Sequence, residues 1–167
     1  MRGAKKVIGY EINRRYLDIA YKNVKTNGFD DQIDLNYCAV ARKKIRKEDE
    51  ILKAVMLKED IKIIEQLKFK TLDEVTNEIT DRDPVLKIDV DGYEYEILDS
   101  INPKYLNNYS HIVLEYHFGL KKIPQILENA GFKLNIKKIR KIHIEDHPHG
   151  YKEMNIGIIY ATRKKRL

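Results

Sequence analysis

At 167 residues the chain has room for one domain, and 43% hydrophobic with 35% charged residues gives it a core under a densely charged surface rather than a disordered segment. No apolar run approaches the roughly 18 residues needed to cross a bilayer, and the opening Met1-Arg2-Gly3-Ala4-Lys5-Lys6 has no apolar signal region behind its charges, so neither a membrane span nor secretion is expected. The single cysteine, Cys38, excludes an intramolecular disulfide and suits a reducing cytoplasm.

In chain order, Val7-Ile8-Gly9-Tyr10 reads as a strand ending at Glu11. Asn13 offers a helix cap, with Tyr16, Ile19, Ala20 and Val24 at helical spacing and Asn27-Gly28 as the stop. Ile33 to Val40 is the next strand, completing a strand–helix–strand crossover of the parallel kind. Ile51, Leu52, Val55 and Met56 support a helix in a charged excursion, and Leu67 to Lys70 a short strand. Thr71-Leu72-Asp73-Glu74 reads as a capping box, with Leu72, Val75 and Ile79 as the buried stripe behind it.

Val85 to Asp89 is a second parallel-type strand, followed by Val90-Asp91-Gly92 and a helix over Tyr93–Ser100. Asn102-Pro103 starts a helical turn, His111 to Tyr116 is a strand, and Gly119 to Ala130 a helix closed by Gly131. The alternation of Phe132, Leu134 and Ile136, and of Met154, Ile156, Ile158 and Tyr160, predicts two antiparallel strands. The whole reads as one α/β domain over 1–167 with an open sheet, carrying a variable insertion over 41–83 between its third and fourth strands.

The net charge of +6 is unevenly spread: residues 1–47 and 133–167 are each +7, and residues 48–132 are −8. Basic ends can meet nucleic acid. A solvated, lysine-rich surface of archaeal or thermophile type is preferred, because the aromatic residues do not interleave with the basic runs as a stacking platform requires.

In an open parallel sheet, ligands bind beyond the carboxyl ends of the strands. That rule selects Glu11, then Asp89 with Asp91, then Glu115 with His117. Glu11 stands where an acid can accept both ribose hydroxyls of a nucleotide, or where it can favour the N-terminus of the next helix. Residues two apart in extended chain point to one side, so Asp89 and Asp91, and Glu115 and His117, are expected to converge if their strands are neighbours. Such a group can hold a divalent cation, with Asp91, Glu115 and His117 as candidate ligands, or orient His117 as a general base. His143, Glu145, Asp146, His147 and His149 resemble a metal-binding tract in composition, though loop histidines are more often only loop, and Cys38 reads as a small buried strand residue.

Leu86-Lys87-Ile88-Asp89-Val90-Asp91-Gly92-Tyr93-Glu94 resembles the central signature of the FkbM family of S-adenosylmethionine-dependent methyltransferases, and Gly3 to Asn13 resembles the second-strand region of class I methyltransferases. Asn36 to Val40, Thr71 to Glu74 and Leu114 to His117 fall in the family's order. The resemblance implies a Rossmann-like class I fold, a mostly parallel sheet with an antiparallel last strand, and S-adenosyl-L-methionine as cofactor. It places Glu11 and Asn13 at the cofactor ribose, Cys38, Ala39 and Val40 near the adenine, and Asp89 at the methionine end. Glu94, Glu115 and His117 complete the pocket, and His117, Asp89 or Asp91 takes the proton of a hydroxyl on a small molecule, sugar or lipid. Asp91 stands where the family usually has glutamate.

No two glycines are close enough to form the family's first, glycine-rich loop, so the sequence reads as N-terminally truncated, lacking the first strand. Direct pairing of the flanking strands, a strand from another copy in a homo-oligomer, or an upstream start would each answer that gap. Two other readings stand beside the enzyme: a non-catalytic remnant serving as a partner subunit, and an RNA methyltransferase or binding module using the basic termini.

Overall fold

A short apolar run with β-branched residues forms β1 (Val7–Glu11), and helix α1 (Arg14–Thr26) follows, capped by the Asn13 side chain accepting the Tyr16 N–H at 3.2 Å. The computed structural model describes residues 3–41, 66–80, 83–143 and 152–163, and the chain divides into two units, Met1–Lys70 and Thr71–Leu167. The expected helix around Ile51–Met56 lies outside the described residues, as does most of the histidine tract; only His143 of that tract falls within them.

In the first unit, β2 (Ile33–Val40) pairs in parallel with β1 through its first five residues, from Val7 opposite Ile33 to Glu11 opposite Tyr37. Its last three, Cys38 to Val40, pair in parallel with β3 (Lys68–Lys70). One strand thus passes from one neighbour to the other just beyond Glu11. Leu17 of α1 is buried, and Tyr21 donates its hydroxyl to the Leu35 carbonyl at 2.7 Å, fastening the helix to β2.

The second unit opens with α2 (Leu72–Asn77) and the expected capping box: Thr71 Oγ1 accepts the Glu74 N–H, and Glu74 accepts the Thr71 N–H at 2.7 Å. Leu72 and Val75 are buried, but Ile79 lies past the helix end and is half-exposed. After β4 (Val85–Ile88) come α3 (Glu94–Ser100), α4 (Pro103–Leu106), β5 (His111–Tyr116), α5 (Ile123–Asn129), β6 (Phe132–His143) and β7 (Glu153–Arg163). The sheet order is β4-β5-β7-β6, with β4 and β5 parallel and the other pairs antiparallel. Ile112, Leu114, Ile159, Leu106 and Leu127 have no exposed surface and form the core of this unit.

One expectation changes. The helix expected from Gly119 begins only at Ile123, because Gly119 and Lys121 both take positive φ (78° and 44°), which no right-handed helix accommodates. Among the described residues, β1 of the first unit pairs with β2 and β4 of the second unit pairs with β5.

Candidate functional site

In the first unit the geometry centres on Glu11. Its Oε1 accepts the Asn13 N–H at 2.7 Å, so the carboxylate closes the start of α1, as its place before a helix suggests. A carboxylate has about four lone-pair directions, and this bond uses one, so the group retains the capacity to accept two vicinal hydroxyls. Asn13 commits its side-chain carbonyl to the helix cap. Cys38 and Ala39 are buried and Val40 is half-buried, so of the three residues assigned to the adenine, Val40 keeps the most surface. The donor chemistry therefore fits a ribose at Glu11 better than it fits an adenine on Cys38.

In the second unit the pairing of Ile88 with Leu114 brings the carboxyl ends of β4 and β5 side by side. Asp89 follows β4 directly and holds Lys87 Nζ at 2.8 Å. Asp91 is not in extended chain as expected: with φ 49° and Gly92 at φ 107°, the backbone turns sharply there. Gly92 is required on a second ground, since a Cβ at that position would come 2.5 Å from the ring of Phe118. The turn still delivers Asp91 to His117, with Oδ1 3.5 Å from Nε2.

His117 is not the solvent-facing turn residue that a strand end permits; its side chain is 6% exposed. Its Nδ1 meets Glu94 Oε1 at 2.7 Å, and Glu94, the first residue of α3, is completely buried. The same oxygen accepts the backbone N–H groups of Gly92 and Val90 at 3.1 and 3.3 Å. One carboxylate oxygen therefore ties the turn carrying Asp91 to the imidazole. Its other oxygen, Oε2, is buried with no hydrogen-bond partner among the described residues. Tyr95 reinforces the arrangement: its hydroxyl accepts the Phe118 N–H at 2.8 Å and donates to the Gly119 carbonyl at 2.6 Å, anchoring α3 to the chain leaving β5.

Burial works against charge on His117, but the hydrogen-bonded Glu94 carboxylate, with Asp91 and Glu115 nearby, outweighs it and raises the imidazole pKa above its ordinary value. Asp89, Asp91 and His117 bring one donor atom each within 4.8 Å of one another. Glu115 stands outside this trio and acts on His117 only through its charge. Glu94 is the part that spacing alone did not place. An acid two residues after Asp-Gly, at the start of a helix, is the sequence signal that accompanies it.

The methyltransferase FkbM domain matches residues 1–134. Among curated proteins no relative matches. Among solved structures, Sp1610 of Streptococcus pneumoniae, a candidate tRNA (m1A22) methyltransferase, is 18% identical with a TM-score of 0.48, the alignment covering 98% of this chain and 56% of that one. A structure of the same protein in complex with S-adenosyl-L-methionine is 16% identical with a TM-score of 0.42, covering 99% and 69%. Precorrin-6y C5,15-methyltransferase of Geobacter metallireducens GS-15 is 16% identical with a TM-score of 0.46, covering 95% and 67%. The chain thus spans little more than half of the first of these structures. Among the described residues, no helix is long and apolar enough to cross a membrane.

Proposed function

Since the chain belongs to the methyltransferase FkbM domain family, we propose that it transfers the methyl group of S-adenosyl-L-methionine to a hydroxyl oxygen of a small molecule, sugar or lipid. The observation that carries this reading is the family match over residues 1–134, which takes in Glu11 and the whole Asp89–His117 corner. When bound, the cofactor supplies an electrophilic methyl on a positively charged sulfur. Glu11, held by the Asn13 N–H through one lone pair, accepts the ribose hydroxyls with the rest of its carboxylate. Val40 lends its half-buried surface to the adenine.

In the second unit, Glu94 fixes the imidazole through Nδ1, which in the neutral ring carries the hydrogen and leaves the Nε2 lone pair facing Asp91. The acceptor hydroxyl binds there. Its oxygen would take the methyl carbon that the cofactor supplies when bound, the sulfur keeping the electron pair of the broken bond. The hydroxyl proton passes to His117 Nε2, with Asp89 and Asp91 stabilising the imidazolium that results.

The test pairs titration calorimetry of S-adenosylmethionine with transfer of labelled methyl into a panel of sugar, lipid and small-molecule alcohols. Cofactor binding that Glu11→Ala weakens, with transfer to an alcohol that His117→Gln abolishes, is the expected result. No heat and no thermal shift at millimolar cofactor would overturn the reading and favour a non-catalytic partner subunit. A second reading, RNA binding, is favoured by Lys133, Lys137, Lys138, Arg140 and Lys141, all exposed along β6. Absence of any RNA binding at low salt would remove it.

A further inference from the structure

We infer that Asp89, Asp91 and His117 form a binding site for one divalent first-row cation of the Mn2+ class. The three donors come from three successive places in the fold: the end of β4, the turn after it and the end of β5. Donors around an ion with bonds of about 2.1 Å lie roughly 3–4 Å apart, and His117 Nε2 is already 3.5 Å from Asp91 Oδ1. The widest separation allowed within the trio, 4.8 Å, closes by a small movement of an exposed carboxylate.

A second observation, independent of the carboxylates, points the same way. The His117 side chain is 94% buried, and Nε2 is turned toward the two aspartates, 3.5 Å from the exposed Asp91 carboxylate. Its other nitrogen is held by a buried carboxylate at 2.7 Å, the arrangement that orients a metal-binding histidine and makes it a better donor. Glu94 also holds the amides of Val90 and Gly92, so the residue that aims the imidazole also fixes the turn that presents Asp91. Two exposed carboxylates beside a buried imidazole that a buried acid aligns are arranged to receive a positive charge.

One imidazole with two carboxylates suits Mn2+ better than Mg2+, which favours an all-oxygen shell with several waters. Asp91 is 98% exposed, so positions on the ion's outer side stay open to water or to a ligand oxygen. Among the described residues Lys87 opposes the ion, its ammonium sitting 2.8 Å from Asp89 Oδ2 and competing for that carboxylate. The ion site stands on this geometry alone. Its use rests on the methyl-transfer reading: an acceptor hydroxyl bound to the ion would release its proton to bulk water more readily, and with the ion in place His117 Nε2 would serve as a ligand while water takes the proton.

The experiment is titration of the EDTA-stripped full chain with Mn2+ alone, followed by calorimetry and by the loss of the free-ion electron paramagnetic resonance signal. One ion per chain is expected. Asp91→Asn should weaken it by about tenfold or more without harming the fold, because asparagine tolerates the positive φ at that position. His117→Gln should weaken it similarly, and Lys87→Met should tighten it. No uptake at millimolar Mn2+, or uptake that Asp91→Asn and His117→Gln leave unchanged, overturns the site. Methyl transfer that survives EDTA in a chain taking up no Mn2+ overturns the ion and leaves methyl transfer in place. Mn2+ uptake in a chain that binds no S-adenosylmethionine supports the ion while defeating the methyl-transfer reading.

Discussion

Replacing Glu94 by alanine should destabilise the protein more than any other single change at this corner. The substitution removes the acceptor of three donors at once: His117 Nδ1 at 2.7 Å, the Gly92 N–H at 3.1 Å and the Val90 N–H at 3.3 Å. Breaking a buried charged pair costs about 3–5 kcal/mol when one partner remains, and a buried donor left unpaired costs about 1–3 kcal/mol. Val90 and Gly92 are only half-buried, so water entering the space left by the side chain recovers part of their loss. A net cost of about 4 kcal/mol is the expectation, a large share of the roughly 5–15 kcal/mol that holds a domain folded. For a chain of this size that is a fall in Tm of roughly 8–16 °C.

Glu94→Gln separates shape from charge. It keeps an oxygen for the two amides and for the neutral imidazole, so its cost should be about 1–2 kcal/mol. It also removes the principal influence raising the His117 pKa, leaving burial, which lowers it, opposed by the charges of Asp91 and Glu115. Because that pKa is raised in the folded state, the stability it contributes is fully present below the ordinary value of about 6.5 and is lost as pH rises through the folded value. The gap between wild type and Glu94→Gln should therefore be widest below the ordinary imidazole value of about 6.5 and narrow as pH rises through the raised folded value. Urea unfolding in the presence of EDTA measures both effects. A Glu94→Ala protein within about 1 kcal/mol of wild type would refute the argument, as would a gap that widens with rising pH.

Gly157→Ala should cost about 1–3 kcal/mol, because its Cβ would press on the Tyr116 hydroxyl and lie 2.5 Å from the backbone carbonyl oxygen of Lys137, which cannot swing aside; thermal unfolding checks it. Thr71→Ala breaks the capping box of α2 and should lower stability by about 1 kcal/mol, a shift of roughly 2–4 °C in Tm. Lys141→Ala should return the Glu153 carboxyl, now held below its ordinary pKa chiefly by the Lys141 hydrogen bond at 2.7 Å, toward the usual value. A carbon-detected NMR titration of Glu153 reads that change, and an unmoved midpoint would show the pair is not formed in solution.

Features set by neighbours in sequence were legible before any coordinates. Asn13 before α1, the Thr71–Glu74 box and Asn102 before Pro103 are caps whose partners lie two or three residues away, and all three form. The parallel crossover from β1 to β2 follows from the same local logic. Apolar spacing misled at Gly119–Lys122, where the positive φ of Lys121 has no signature in residue type. It also could not show that β7 sits between β5 and β6, since that order depends on pairing across some fifty residues, as in His111 opposite Thr162. The Asp91 turn differs in kind: Asp-Gly is itself a turn signal, and the positive φ of both residues overrides the extended spacing of Asp89 and Asp91.

The corner itself divides along the same line. Asp89, Asp91 and His117 could be grouped because strand ends collect side chains, and adjacent strands put those ends together. What turns a group of polar residues into an arranged site is Glu94, and nothing about an acid in the first turn of a helix distinguishes it from the many that simply favour an exposed N-terminus. The distinction arises when Ile97 and Leu98 bury their face of α3 and carry Glu94 into the interior with them. There its charge can be offset only by the groups packed against it, the Val90 and Gly92 amides and the His117 imidazole. Once α3 is packed, the orientation of His117 follows as a consequence of satisfying a buried carboxylate. The direction of His117 Nε2 toward Asp91 is therefore set by core packing on the same face of the helix.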